Sequence, residues 1–158
     1  MAIESVSGEP RVPAPTRVLC VDDLPDVAAA LRLIIQSDPS MECVGCLNSA
    51  DDLVGEVRGR DPRPDIVVLD ATMPGRDPME AMKDLATECP STRTIIYSAH
   101  DDPEFVSRAK GAGAWGCVSK HAEPRELMQA VRDVGAGRPR WPGPAAGEAR
   151  YGEPRRPD

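Results

Sequence analysis

Three aspartates, one serine and one lysine carry the chemistry this sequence can do: the adjacent pair Asp22-Asp23, then Asp70, Ser98 and Lys120. Clustered carboxylates need a counter-charge, and hard oxygen ligands suit magnesium, or manganese in its place, with several waters retained. Lys120 offsets charge without being a ligand. A metal beside a carboxylate points to phosphoryl transfer, because the ion neutralises phosphoryl oxygens while the carboxylate forms an aspartyl phosphate. Taken singly, each residue has a plainer explanation. Asp22 or Asp23 caps a helix, Ser98 ends a strand, and Lys120 is a solvated surface lysine.

The elements that must position these residues argue for the joint reading. β-rich runs at 17–21, 41–47, 65–69, 94–97 and 116–119 alternate with helical patterns, the signature of repeated βαβ units and a parallel sheet. In such open sheets ligands sit beyond the carboxyl ends of the strands. Asp22, Asp23, Asp70, Ser98 and Lys120 all stand just after a strand. Asp70 follows the apolar run Ile66-Val67-Val68-Leu69, which places it mid-crevice as the phosphoacceptor. Asp22 and Asp23 flank it from the first strand as metal ligands.

The helices follow from spacing. The first starts near Pro25, carries Val27, Leu31, Ile34 and Ile35 on one stripe, and stops before Pro39. Ser49 and Asp52 have the spacing of a capping box for a second helix with Leu53 and Val57 inward. A third runs from about Met79 to Glu88. Asp101 or Asp102 caps a fourth, with Pro103 in its first turn, and Pro124 opens a fifth that buries Leu127, Met128, Val131 and Val134.

Composition bounds the rest. A chain of 158 residues buries one core, and with aromatics at only 3% that core is aliphatic. The formal charge of -7 opposes a general attraction to nucleic-acid phosphates, so no direct nucleic-acid contact is expected. No segment is apolar enough to span a bilayer, which predicts a cytoplasmic protein without a membrane partner. Five cysteines cannot all pair within one chain. Cys43 and Cys46 have the spacing of redox or zinc motifs, but they sit in the strand-like run Met41 to Leu47, where an odd separation points them to opposite faces and away from shared metal or redox chemistry. Residues 1–16 and 138–158 lack a hydrophobic period and read as Pro-, Gly- and Arg-rich tails around a domain at 17–137, with Trp141 the tail residue suited to docking.

Together these motifs resemble the receiver domains of two-component response regulators. The match rests on Asp22-Asp23, on Asp70-Ala71-Thr72-Met73-Pro74-Gly75, on Ser98-Ala99 and on Gly116-Cys117-Val118-Ser119-Lys120. The resemblance implies a doubly wound, flavodoxin-like α/β fold with five parallel strands in the order 2-1-3-4-5 and five helices. It also implies that Asp70 takes a phosphoryl group from a histidine kinase or phosphotransfer protein. Asp23, Asp70 and the Thr72 backbone carbonyl would hold the metal, Asp22 helping through water, while Lys120 and Ser98 engage the phosphoryl group. Thr72 and His100 would tune its loss. The output is a changed face around helix four, strand five and helix five, and the same helices make homodimerisation a further implication.

Two positions depart from the family pattern. Where the family has Tyr or Phe three residues before the lysine, this chain has Cys117, with Trp115 two residues earlier, so the usual aromatic switch is altered. His121 replaces the usual proline after the lysine, and a cis bond there would cost roughly 3 kcal/mol. Receivers joined to helix-turn-helix output domains often lack that proline too, and Gly113-Ala114-Trp115-Gly116 and Glu126-Leu127 share the flavour of that subgroup. Three alternatives remain: an aspartyl-nucleophile phosphatase, opposed by the adjacent acidic pair; a phosphorylation-independent interaction module; and the receiver fragment of a DNA-binding regulator.

Overall fold

The computed structural model describes residues 14–142. Five strands alternate with five helices: β1 Thr16–Val21, α1 Pro25–Gln36, β2 Met41–Leu47, α2 Leu53–Arg58, β3 Ile66–Asp70, α3 Pro78–Glu88, β4 Arg93–Ser98, α4 Pro103–Gly111, β5 Gly116–Ser119 and α5 Pro124–Gly135. All pairings are parallel and the order is β2-β1-β3-β4-β5. Strand order reverses between β1 and β3, which opens a crevice at their carboxyl ends. The doubly wound arrangement is the one the family resemblance implies, and the alternation of strands and helices is the one read from the pattern.

The strands read as apolar runs because both sheet faces are covered. Leu19, Val21, Val67, Leu69 and Ile96 face α2, α3 and α4, where Leu53, Val57, Met82, Leu85, Phe105 and Ala109 meet them. Val18, Cys20, Ile66, Val68 and Ile95 face α1 and α5, against Leu31, Ile35, Leu127, Val131 and Val134. Each fully buried Leu or Ile here contributes roughly 1.5–3 kcal/mol of transfer free energy. The core therefore fixes the strand ends that carry the polar residues.

Helix starts follow side-chain caps where the geometry permits them. The Asp102 carboxylate accepts from the Phe105 amide at 3.0 Å, and the Asp77 carboxylate accepts from the Met79 amide at 3.0 Å, each beside a proline in the first turn. The capping box at Ser49 and Asp52 does not form. α2 begins at Leu53, and Asp52 at its N-cap makes no side-chain cap bond. The Ser49 hydroxyl accepts from the Asp51 amide at 3.3 Å instead, a local bond two residues on that does not reach into the first turn of α2, and Ala50 between them is fully buried.

β2 corrects a second expectation. Its register with β1 slips between Val18 and Leu19, so that Cys43 opposes Val18 while Gly45 opposes Leu19, leaving Val44 as an extra residue. A bulge of one residue reverses the alternation beyond it. Cys43 and Cys46 consequently share the face of Cys20, packed toward α1, while Val44 and Leu47 pack on the other side. The Arg32 guanidinium lies 3.7 Å from the Cys46 sulfur. The Cys20 thiol, together with the Gly45 backbone and the Arg32 charge, lowers the Cys43 thiol against the opposing effect of burial.

Candidate functional site

Asp22, Asp23 and Asp70 meet at the carboxyl ends of β1 and β3, with one carboxylate oxygen from each lying within 4.8 Å of the others. Asp22 and Asp70 are buried and Asp23 is half-buried. Lys120, one residue beyond β5, reaches across with Nζ 3.0 Å from Asp22 Oδ2 and 3.3 Å from Asp70 Oδ1. The sheet order explains the meeting: β1 and β3 are neighbours, and the β5 end lies on the same edge.

Local bonds hold each carboxylate. Asp22 Oδ1 accepts from the Leu24 amide at 3.0 Å, turning the chain into α1. Asp70 Oδ1 accepts from the Thr72 amide at 3.0 Å, which fixes the loop after β3. That loop is held from a distance as well, because Asp51 Oδ1 accepts from the Arg76 amide at 2.9 Å and Gly75 turns with φ +94°. Asp51 was not legible as a site residue, since its partner lies 25 positions away and no local pattern marks it.

Three carboxylates against one ammonium leave an uncompensated negative charge. Burial raises the Asp70 carboxyl above its ordinary value, and the Asp22 charge adds to this, while the Thr72 amide and Lys120 pull the other way. For Lys120, burial alone would lower the ammonium, but its contacts with Asp22 and Asp70 outweigh that and hold it above the ordinary value. A cluster of hard oxygen donors with surplus negative charge fits a divalent cation such as magnesium. Asp22, Asp23 and Asp70 are the residues able to hold one.

The remaining predicted residues sit around this centre. Ser98 ends β4 and is buried, its hydroxyl accepting from the His100 amide at 3.0 Å. Thr72 and His100 are exposed and both line a groove of about 640 Å³ beside α3 and α4. The His100 ring lies 5.9 Å from that of Phe105. Cys117 is buried in β5 against the α4 side of the core, and burial, helped by Asp101, pushes its thiol up to about 11. Trp115 packs on the α5 side under the Arg93 guanidinium, 4.4 Å from the ring centre, so it does not stand in for an aromatic at position 117. Among the described residues the cis peptide is Asp61-Pro62, and the bond to His121 is trans.

A parallel sheet in the order 2-1-3-4-5 with an acidic cluster and a lysine at its carboxyl edge defines a receiver-type α/β domain. The family model for the response regulator receiver domain matches residues 18–132, and the chain belongs to that family. It is 37% identical over 122 residues to the DNA-binding transcriptional activator DevR/DosR of Mycobacterium tuberculosis, covering 77% of this chain and 55% of that protein. It is 32% identical over 120 residues to the response regulator UvrY of Escherichia coli, covering 76% and 54%. The chain thus spans little more than half the length of these curated relatives. Among solved structures, a LuxR-family two-component response regulator from Aurantimonas matches with a TM-score of 0.76 and 31% identity, covering 90% of this chain and 99% of that one. The receiver domain of the putative response regulator NarL from Mycobacterium tuberculosis matches with a TM-score of 0.74 and 28% identity, covering 80% and 100%. The protein is a signalling receiver domain of the two-component class, and no helix of its described residues is long and apolar enough to cross a membrane.

Proposed function

We propose that Asp70 is the phosphoacceptor of this receiver, supplied by a histidine kinase or phosphotransfer protein. The observation that carries this is the position of Asp70 at the end of the central strand, with Lys120 Nζ 3.3 Å from Oδ1 and two further aspartates alongside. A carboxylate oxygen of Asp70 attacks the phosphorus of a phosphohistidine. The new P–O bond forms as the P–N bond breaks, and the imidazole leaves with a proton. Asp22, Asp23, Asp70 and the Thr72 carbonyl would hold magnesium or manganese, which when bound would neutralise the phosphoryl oxygens. Lys120 pairs with those oxygens from the other side.

Ser98 then turns from the His100 amide to the phosphoryl group, which pulls the loop before α4 and alters the face built by α4, β5 and α5. Water then attacks the phosphorus slowly, breaking the bond to Asp70 and releasing inorganic phosphate, at a rate set by the exposed Thr72 and His100, so the domain signals rather than turns over a substrate. The receiver unit runs from 17 to 137 and works in the cytoplasm. Its downstream partner is a protein, and any contact with nucleic acid belongs to the remainder of a longer regulator of the kind its relatives represent.

The test is incubation with magnesium and acetyl phosphate, followed by intact mass and backbone NMR beside Asp70→Asn. The expected result is one phosphoryl adduct, absent in Asp70→Asn, with shifts spreading from Ser98 to Cys117. No adduct at saturating magnesium overturns the phosphoacceptor reading and leaves a phosphorylation-independent interaction module.

A further inference from the structure

The segment after α5 does not leave the domain. Gly137, with φ +87°, turns the chain back, and Arg140 bridges to Gly116 on the open edge of β5. The Arg140 carbonyl accepts from the Cys117 amide at 3.0 Å, and the Arg140 amide donates to the Trp115 carbonyl at 3.0 Å, forming a parallel bridge between Gly116 and Arg140. A stretch that composition reads as a solvated tail is thus a strap, because β5 is an edge strand whose unpaired backbone groups need partners.

Side chains add direction to the backbone bonds. Arg138 and Arg140 each reach Asp133 of α5 at 3.1 Å, and Arg140 also reaches Glu126 at 3.3 Å. Trp141 packs on the core cluster that holds Cys117, with the Lys110 ammonium of α4 4.8 Å from its ring centre. Gly116 permits the approach: a Cβ there would stand 2.8 Å from the Arg140 carbonyl oxygen. The strap is nonetheless displaceable. Its ion pairs are partly exposed and individually weak, and a groove of about 650 Å³ lined by Val118, Ala122, Pro139 and Pro142 runs beside it.

We propose that the α4–β5–α5 face is a recognition site for an extended basic segment ending in tryptophan, and that the chain's own residues 138–141 occupy it in cis. The pattern is strand addition: main-chain bonds to β5 give affinity, while the acidic rim of Glu126 and Asp133 and the apolar seat beside Cys117 give specificity. Tethering supplies a high effective concentration, so any partner for this face must first displace the strap. The inference goes beyond the phosphoacceptor reading and does not depend on it.

The test uses the full chain, the double variant Arg140→Glu/Trp141→Ala, and Gly116→Ala as a second route to the same release. Amide hydrogen exchange by NMR should show Cys117 and Arg140 protected in the parent. The Cys117 amide should exchange at least about tenfold faster in either variant, and the Arg140 amide likewise in Gly116→Ala, with Val68 of β3 unchanged as the folding control. If one variant loses Val68 protection, the other is read. A fluorescein-labelled peptide of residues 136–144 should bind the double variant at least about tenfold more tightly than the parent by anisotropy. Unprotected Cys117 in the parent, equal exchange in parent and folded variant, equal peptide binding, or no binding to the folded double variant each overturns the proposal.

Discussion

The Thr72 amide and the Lys120 ammonium converge on the same atom, Asp70 Oδ1, at 3.0 and 3.3 Å. One oxygen of the carboxylate is thereby held in place. The other accepts no hydrogen bond among the described residues.

Asp70 should cost stability at neutral pH. Its carboxyl lies above the unfolded value through burial and the Asp22 charge, so the folded state binds this proton more tightly than the unfolded state. The contribution is therefore fully present below the unfolded value and is lost as pH rises through the folded one. Asp70→Asn should raise Tm by a few degrees near neutral pH without divalent ions, and the gain should shrink toward acid pH. Scanning calorimetry of both proteins against pH checks this, and magnesium should stabilise the parent more than the variant.

Lys120→Met should have the opposite sign. Removing the ammonium leaves Asp22 and Asp70 facing each other, at a cost of about 1–3 kcal/mol without divalent ions. Urea denaturation reads the loss, which magnesium should partly restore.

Ser98→Ala separates chemistry from coupling. The Ser98 hydroxyl accepts from the His100 amide, so its loss should cost about 1 kcal/mol. The variant should still form the Asp70 adduct, but with NMR shifts confined to the site. Shifts reaching Cys117 as in the parent would remove Ser98 from the switch.

Gly75→Ala tests the loop behind the site. The position has φ +94°, and an added Cβ would meet Asp51 Oδ1 at 2.6 Å, in the contact that also fastens the Arg76 amide. Destabilisation of about 1–2 kcal/mol by urea denaturation is expected, with slower adduct formation.

Filling position 117 should disturb the strap. Cys117 is buried beside Trp141, and Cys117→Phe overpacks that wall by about 1–3 kcal/mol unless the indole moves out. A red shift of the tryptophan emission, with loss of Cys117 amide protection, marks the displacement. Trp115→Phe leaves Trp141 as the sole reporter.

Local pattern was enough to read the alternation of strands and helices, the positions of Asp22, Asp23, Asp70, Ser98 and Lys120 at strand ends, and the apolar stripes of α1 and α5. These are local or periodic properties: a run of Ile-Val-Val-Leu before Asp70 marks a central strand wherever its neighbours lie. The rest emerged only in the folded chain, because the partners involved are distant in sequence or break the period. Val44 becomes an extra residue only when β2 must register with β1, and that single slip puts Cys43 and Cys46 on one face. Asp51 is a solvated acid until the Arg76 amide, 25 positions on, arrives beside it. Residues 138–142 carry no hydrophobic period because their order comes from the unpaired edge of β5 and from the acids of α5.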